Sequence, residues 1–413
     1  MSTIYDDASA WFEANWDPTM SLGDWWARLA GAGYAFPRWP KMAGGRSFNK
    51  AESAAITRAR RDAGAYGPPN GVATFLVAPT LFQYGTAEQQ ERYLPAIADG
   101  TVRWCQLFSE PGYGSDMAGL ATRAELDGDE WTVNGQKVWN SGAHYADFAI
   151  LIARTDPDQP KHKGITFFLF DMRQPGVEVR PLREMTGDAA FNEVFMTNAR
   201  VHESDRLGDI GAGWHVAMTT LSHERNPENP GLSETAPFGE VKLSVPVGEH
   251  AVAEARNVDR FSISLSGGGG ALFERVVNET DAWSHPLMRQ RLAELASMRR
   301  IGRWSNERTA ARMKAGAQPG PEVSTQKING AEMSRRMRDL GLEAMGAEGM
   351  LWSDDTPTDG VFHRFAMFTP ANSIAGGTDE VMRNVLGERV LGLPREPGES
   401  EQREKPWKDL PKG

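Results

Sequence analysis

The hydrophobic period of this chain changes twice, and that switch limits the folds open to it more than any other feature. Up to about residue 103, apolar residues recur at helical spacing, as in Leu22 to Leu29 (LGDWWARL) and Ala51 to Arg61. Thr86 and Gln89 form a capping box ahead of a helix over 87–98, and Gly100 sits where a C-cap glycine belongs. From Trp104 to about Leu207 the period is two, punctuated by turns. Asp127-Gly128 and Asn134-Gly135 both predict hairpin turns of the type I′ kind. Strands are expected at 130–133, 148–153, 165–170 and 177–180. From Gly213 the helical spacing returns, over 214–224, 287–315, 324–341 and 379–390.

These blocks predict an α+β chain. It has an N-terminal helical domain (1–103), a middle β domain (104–212) and a C-terminal helical bundle (213–395). The tail, 396–413, is rich in Glu, Lys, Pro and Gly and is expected to be loosely held. One excursion, 226–270, interrupts the C-terminal block. Pro227, Pro230 and Pro237 forbid a continuous helix there. Val241, Leu243, Val245 and Val247, then Phe261, Ile263 and Leu265, alternate with polar residues. A strand pair or surface excursion is expected, closed by Gly267 to Gly270. That glycine run reads as a hinge, because no Lys-Ser/Thr follows it to make a phosphate loop.

A length of 413 residues fits two or three domains. The net charge of −10 argues against a nucleic-acid partner, which would want a basic patch. No apolar run approaches the roughly 20 residues that span a bilayer. The start, MSTIYDDASAWFEANWD, has neither a secretory nor a transit character, so a cytoplasmic location is expected. The single cysteine, Cys105, excludes an internal disulfide and any Cys-based metal centre. Lying in the run WCQLF, it reads as a buried thiol, and no metal is expected.

The densest chemistry lies in Leu107 to Gly119, LFSEPGYGSDMAG. Gly112 and Gly114 let a backbone approach a ligand closely, and Pro111 fixes the entry to the turn. Ser109 and Ser115 supply hydroxyls, and amides near Gly114 can form an anion-binding nest. The string resembles the signature of the acyl-CoA dehydrogenase family, in which it forms one wall of the flavin site. Tyr113 stands where a small residue is commoner. Asn134 to Ser141, NGQKVWNS, resembles the strand carrying the second flavin contact. Gly376-Gly377-Thr378-Asp379-Glu380 resembles the family's C-terminal signature, a glycine pair feeding a helix N-terminus. Local phrasing such as RWCQLFSEPG, NSGAHYAD and MTGDAAFNEVF looks most like the bacterial branch that includes dehydrogenases of steroid side chains.

By that resemblance FAD contacts Leu107, Ser109, Gly114, Ser115, Trp139, Ser141, Gln290, Gly377, Thr378 and Glu380. The implied reaction is α,β-dehydrogenation of an acyl-CoA thioester, with a carboxylate taking the α-proton and hydride leaving for flavin N5. Such a base must be desolvated and the thioester carbonyl polarised. Many members place the base immediately before Gly377-Thr378, where this chain has Gly376. In isovaleryl-type members the Glu comes from the helix after the β domain, directly before an Arg. Glu224-Arg225, ending GAGWHVAMTTLSHER, falls on that position, which leaves Gly376 a backbone N–H aimed at the thioester oxygen. His223 reads as structural.

Other positions depart from the family. No Arg-x-x-Phe-Gly block precedes Met288-Arg289-Gln290, although Arg275 is a nearby cation, and Glu343 stands where a flavin-contacting Gln is common. The expected partners are an acyl-CoA and an electron acceptor such as an electron-transfer flavoprotein, in a homodimer or homotetramer. The alternatives are a flavin-poor subunit of a heteromeric dehydrogenase, or a flavin monooxygenase or oxidase on the same fold.

Overall fold

The computed structural model describes residues 3–224, 229, 231, 240–254, 269–317, 320–353, 356–396 and 399–411. Two compact units emerge, the first spanning 1–184, 188–255 and 400–413, the second 185–187 and 256–399.

The first unit opens with helices α1 (Ile4–Asn15), α2 (Leu22–Gly31), α3 (Lys50–Asp62), α4 (Ala78–Tyr84) and α5 (Ala87–Ala98). Their caps follow from the sequence. Asn49 and Glu52 close a capping box on α3, and Thr86 and Gln89 close one on α5. Gly100 follows α5 in the left-handed conformation expected of a C-terminal glycine. A π turn, Ala73–Val77, leads into α4. The aromatic side chains Phe12, Trp25 and Trp39 are fully buried among these helices.

The strands are β1 (Trp104–Leu107), β2 (Arg123–Asp127), β3 (Glu130–Lys137), β4 (Phe148–Arg154), β5 (Ile165–Asp171), β6 (Val177–Leu182), β7 (Phe191–His202) and β8 (Arg206–Leu207). They pair in the order β6-β7-β3-β2-β4-β5-β8, with β1 running parallel to β4. β4 and β5 are continuous apolar runs because both faces are covered. Ile150, Ile152, Phe167 and Leu169 join the helical core, while Leu151, Phe168 and Phe170 join a second core with Trp131 and Val133. Cys105 belongs to that second core and is fully buried, which pushes its thiol pKa up.

Asp127-Gly128 makes the predicted hairpin, joining β2 to β3. Asn134-Gly135 does not. It lies inside β3 at a bulge, where Asn134 Oδ1 accepts the Asn198 amide of β7 at 2.9 Å. The turn reading fails because both flanks of this dipeptide already have long-range partners.

Helix α6 (Gly213–Glu224) follows the sheet and packs on α4, β5 and the π turn. The alternation at 241–247 does not make a strand. Residues 243–245 turn, and residues 247–254 form a helix, α7. The carbonyls of Val245 and Leu243 accept the amides of Leu22 and Gly23 at 2.9 Å, so this stretch packs on the start of α2. Phe261, Ile263, Leu265 and the glycines at 267 and 268 lie outside the described residues, as do Pro227, Pro230 and Pro237.

The segment after 399 is docked on the sheet, contrary to the expectation of a loose tail. It carries α13 (Glu399–Glu404), and Pro406 bridges Pro160. Trp407 donates its indole N–H to the Gly119 carbonyl at 2.9 Å. One aromatic ring and a run of backbone bonds outweigh a polar composition.

The second unit is helical, with α8 (Gly269–Glu279), α9 (Pro286–Lys314), α10 (Ser324–Ala344), α11 (Val361–Phe368) and α12 (Asp379–Val385). Phe273, Leu292, Leu295, Met337, Leu340, Phe362 and Phe365 form its core. Among the described residues no helix is long and apolar enough to cross a membrane.

Candidate functional site

The loop leaving β1 is held from beneath by a buried ion pair. Glu110, 6% exposed, accepts the backbone amides of Ala121 at 2.7 Å and Thr122 at 3.0 Å. It also accepts the ammonium of Lys137 at 2.9 Å, and Lys137 reaches the Phe108 carbonyl at 3.0 Å. Burial pushes the Glu110 pKa up, but the Lys137 charge and these hydrogen bonds outweigh it and hold the carboxyl below its usual value. Glu110 and Tyr113 exchange backbone hydrogen bonds at 3.0 and 3.2 Å, closing the turn.

With the loop pinned inward at Glu110, its other face opens outward. Gly112, Gly114, Ser115 and Asp116 are exposed, and a Cβ at Gly112 or Gly114 would meet nothing within 4 Å. Tyr113 has a local reason for its size. Its ring lies over Gly119, where a Cβ would come within 2.4 Å of it. Leu107 is fully buried, so only its backbone could face a ligand.

β3 runs directly into the second segment. The Val138 amide donates to the Ser109 carbonyl at 2.9 Å, tying the two predicted flavin segments together. Asn140 turns inward, donating to the Gln106 carbonyl at 2.7 Å and accepting Asn192 Nδ2 on its own carbonyl at 2.8 Å. Trp139 is thereby turned outward. It is 61% exposed and sits at φ +62°, a left-handed conformation costly for a bulky residue. Phe191 meets its ring edge-on with centroids 5.9 Å apart. Ser141 lines a cleft with Thr74, Arg103, Trp104 and Tyr145.

Helix α6 brings Glu224 to the same unit. Thr220 and Thr80 of α4 place their hydroxyls 3.0 Å apart, and Thr219 pairs with Tyr84 at 2.8 Å. Beyond the helix, Asn229 donates to the carbonyls of His223 at 3.1 Å and Phe75 at 2.6 Å. The C-terminal end of α6 is thus tied to the π turn that carries Thr74. The side chain of Glu224, together with Arg225, lies outside the described residues. Burial lowers the pKa of the neighbouring His223.

The second unit carries the remaining candidates. Gly376 and Gly377 are left-handed, at φ +67° and +95°, a conformation that glycine adopts without strain. Thr378 caps α12, accepting the Val381 amide at 3.2 Å. Asp379 is buried and bonded to Lys327 and Arg335 of α10, each at 2.9 Å. Burial pushes the Asp379 pKa up, yet Arg335 and Lys327 prevail and hold it below the usual value. Glu380 is exposed, 3.6 Å from Arg383, and Gln290 is exposed on α9. Glu343 pairs with Arg291 of α9, and Arg275 pairs with Glu279 of its own helix at 3.1 Å.

The first unit therefore gathers Leu107, Ser109, Gly114, Ser115, Trp139, Ser141 and α6 with Glu224, while the second holds Gln290, Gly376, Gly377, Thr378 and Glu380. Sequence reading passed over Lys137, Asn140, Asn192 and the Lys327–Arg335–Asp379 cluster. One signal was available for Lys137: it shares a buried face with Trp131 and Val133 once the bulge is counted.

Models of the N-terminal, middle and C-terminal domains of acyl-CoA dehydrogenases match residues 3–101, 105–199 and 271–391. The chain is 37% identical over 379 residues to acyl-CoA dehydrogenase IpdE1 of Mycobacterium tuberculosis, covering 90% of this chain and 88% of that one. It superposes on the solved Tcur3481-Tcur3483 steroid acyl-CoA dehydrogenase with a TM-score of 0.70 at 26% identity, covering 95% of this chain and 97% of that one. The ChsE4-ChsE5 complex of Mycobacterium tuberculosis gives a TM-score of 0.66 at 26% identity, over 95% and 97%. The chain belongs to the acyl-CoA dehydrogenase family, FAD-dependent oxidoreductases acting on CH–CH bonds.

Proposed function

We propose that this chain oxidises an acyl-CoA thioester at its α,β bond with Glu224 as the base. The supporting observation is the tie between the end of α6 and the π turn, whose Thr74 lines the cleft shared with Ser141. Gly376 has no side chain to offer, and by the family resemblance Glu224, directly before Arg225, stands where isovaleryl-type members carry the base.

The residues present suit a flavin. Trp139 offers an exposed ring held outward on strained backbone, a cost that is recovered when a flat aromatic partner covers it. Ser109, Ser115 and Ser141 supply hydroxyls, and the open backbone at Gly112 and Gly114 accommodates close approach. By the family resemblance, Gly377 and Thr378, with Gln290 and Glu380, would add further contacts to the cofactor. Bound FAD supplies the hydride acceptor. The protein's own part is to remove the α-proton at the Glu224 carboxylate and to exclude water. By the family resemblance, a Gly376 amide aimed at the thioester oxygen would acidify that proton.

Glu224→Gln should retain FAD and show no bleaching of the flavin when mixed anaerobically with an acyl-CoA. Unchanged bleaching would remove Glu224 from the mechanism. A second reading, a heteromer with a related chain, draws on the two-protein makeup named for both superposed structures. Purification of the chain alone decides between them: a yellow protein that turns over acyl-CoA sinks the flavin-poor reading. The relative named a steroid acyl-CoA dehydrogenase, Tcur3481-Tcur3483, favours a steroid-derived acyl group, to be tested with a panel of acyl-CoAs. An electron-transfer flavoprotein would accept the electrons, with no oxidase activity toward oxygen.

A further inference from the structure

We propose that Trp407 is a positioning residue for FAD, bracing from behind the turn that carries Ser115. The inference rests on the assignment of Ser109 to Ser115 to the FAD site.

The segment 406–410 reaches that turn through one direct bond and is itself held by bonds to the 157–159 loop. Trp407 donates its indole N–H to the Gly119 carbonyl at 2.9 Å, three residues from Asp116. Its backbone amide donates to the Gln159 carbonyl at 2.9 Å, and the Lys408 amide to the Pro157 carbonyl at 3.1 Å. The ring also lies against Arg154, whose guanidinium carbon is 4.8 Å from the ring centroid.

Arg154 carries the brace inward. It is 3% exposed and donates to the carbonyls of Ala118 at 2.6 Å, Leu120 at 3.3 Å and Lys161 at 2.7 Å. Lys161 in turn holds Asp116 at 2.8 and 2.9 Å. The backbone from 116 to 120 is therefore fixed on one side by Arg154 and Trp407 and on the other by Glu110, which receives Ala121 and Thr122.

A cation against an aromatic face gains more as it becomes desolvated, and Arg154 is buried. The indole can be removed from this brace by one substitution while Arg154 keeps its bonds to the Ala118, Leu120 and Lys161 carbonyls. Its loss frees the 117–120 turn to move, and the open backbone at Gly114 and Ser115 moves with it. The turn's Glu110 anchor remains, so the sheet should stand while the cofactor wall loosens.

The test is FAD binding to apoprotein, followed by flavin fluorescence, alongside the melting temperature of the apo form. Trp407→Ala should raise the FAD dissociation constant roughly tenfold and blur the vibronic shoulders of the bound flavin. Trp407→Phe keeps the ring and loses the N–H, and should recover about half of that loss in logarithmic terms. An affinity within about twofold of the parent in both variants overturns the proposal. So does a loss that merely tracks apo melting across the two, which would mark general weakening of the fold. If Trp407→Ala does not fold, Trp407→Phe alone is read on the same terms. Ser115→Ala separates the underlying assignment: unchanged FAD affinity in that variant sinks the FAD reading of the turn rather than the role of Trp407.

Discussion

Lys137 places its ammonium 2.9 Å from the Glu110 carboxylate with both side chains almost wholly removed from water. Such a pair gains little over an apolar one, because each charge has lost its hydration. Its value here is geometric. Glu110 lies within the FSEPGYGSD segment, and Lys137 lies two residues before Trp139, so one contact registers both predicted flavin segments.

Breaking the pair from one side should be costly. Glu110→Gln leaves Lys137 buried beside a neutral amide and should destabilise the first unit by about 3–5 kcal/mol. Pairing it with Lys137→Met should recover much of that loss. Chemical denaturation of the two variants measures both. A single variant as stable as the parent would show that the ion pair is not a structural anchor.

The same pair sets a pH dependence. The Glu110 pKa is depressed in the folded chain, so its contribution is complete above the ordinary carboxylate pKa of about 4.3. It is lost as pH falls through the depressed folded value. The stability gap between parent and Glu110→Gln should therefore be level near neutrality and shrink in acid below about pH 4. A gap that stays constant to the lowest pH at which both fold would contradict the assignment.

Trp139 offers a trade between stability and binding. Its left-handed backbone costs on the order of 1–3 kcal/mol, and its ring is 61% exposed and poorly packed. Trp139→Gly removes the strain, so the apo form should melt no lower than the parent. FAD affinity should fall roughly tenfold or more, since the ring is lost. A variant that binds FAD as tightly as the parent would make the exposed indole incidental.

Asp379 should matter through backbone order. Asp379→Asn weakens two charge-assisted bonds, from Lys327 and Arg335, worth about 1.5–3 kcal/mol each. Hydrogen exchange should speed up across 369–385 while β4 and β5 keep their protection. Uniform acceleration across the chain would point instead to global destabilisation.

What the sequence made legible was local. Thr86, Gln89 and Gly100 bounded α5 because capping involves neighbours a few residues apart. The strings around Ser115, Trp139 and Thr378 were readable as strings. Asn134-Gly135 misled because a bulge and a hairpin share the same dipeptide, and only the pairing of β3 with β7 separates them. Lys137 was passed over because a lysine in a strand is ordinarily solvated, and its partner stands 27 residues earlier. Val241 to Val247 alternated without forming a strand, since their backbone groups meet the start of α2 instead of a sheet edge. Trp407 was hidden by the polar residues around it.

The docked segment 399–411 also fixes an order of events. The first unit is discontinuous, with residues 400–413 returning to it after the whole second unit has intervened. During synthesis, the sheet and its flanking helices can form early, as N-terminal regions usually do. The carbonyl of Gly119 must wait for Trp407 until every helix from α8 to α12 has been translated. A nascent or prematurely ended chain would carry a nearly complete β layer with the back of its signature turn bare. Protease sensitivity between 112 and 120 is then a readout of how far synthesis has gone.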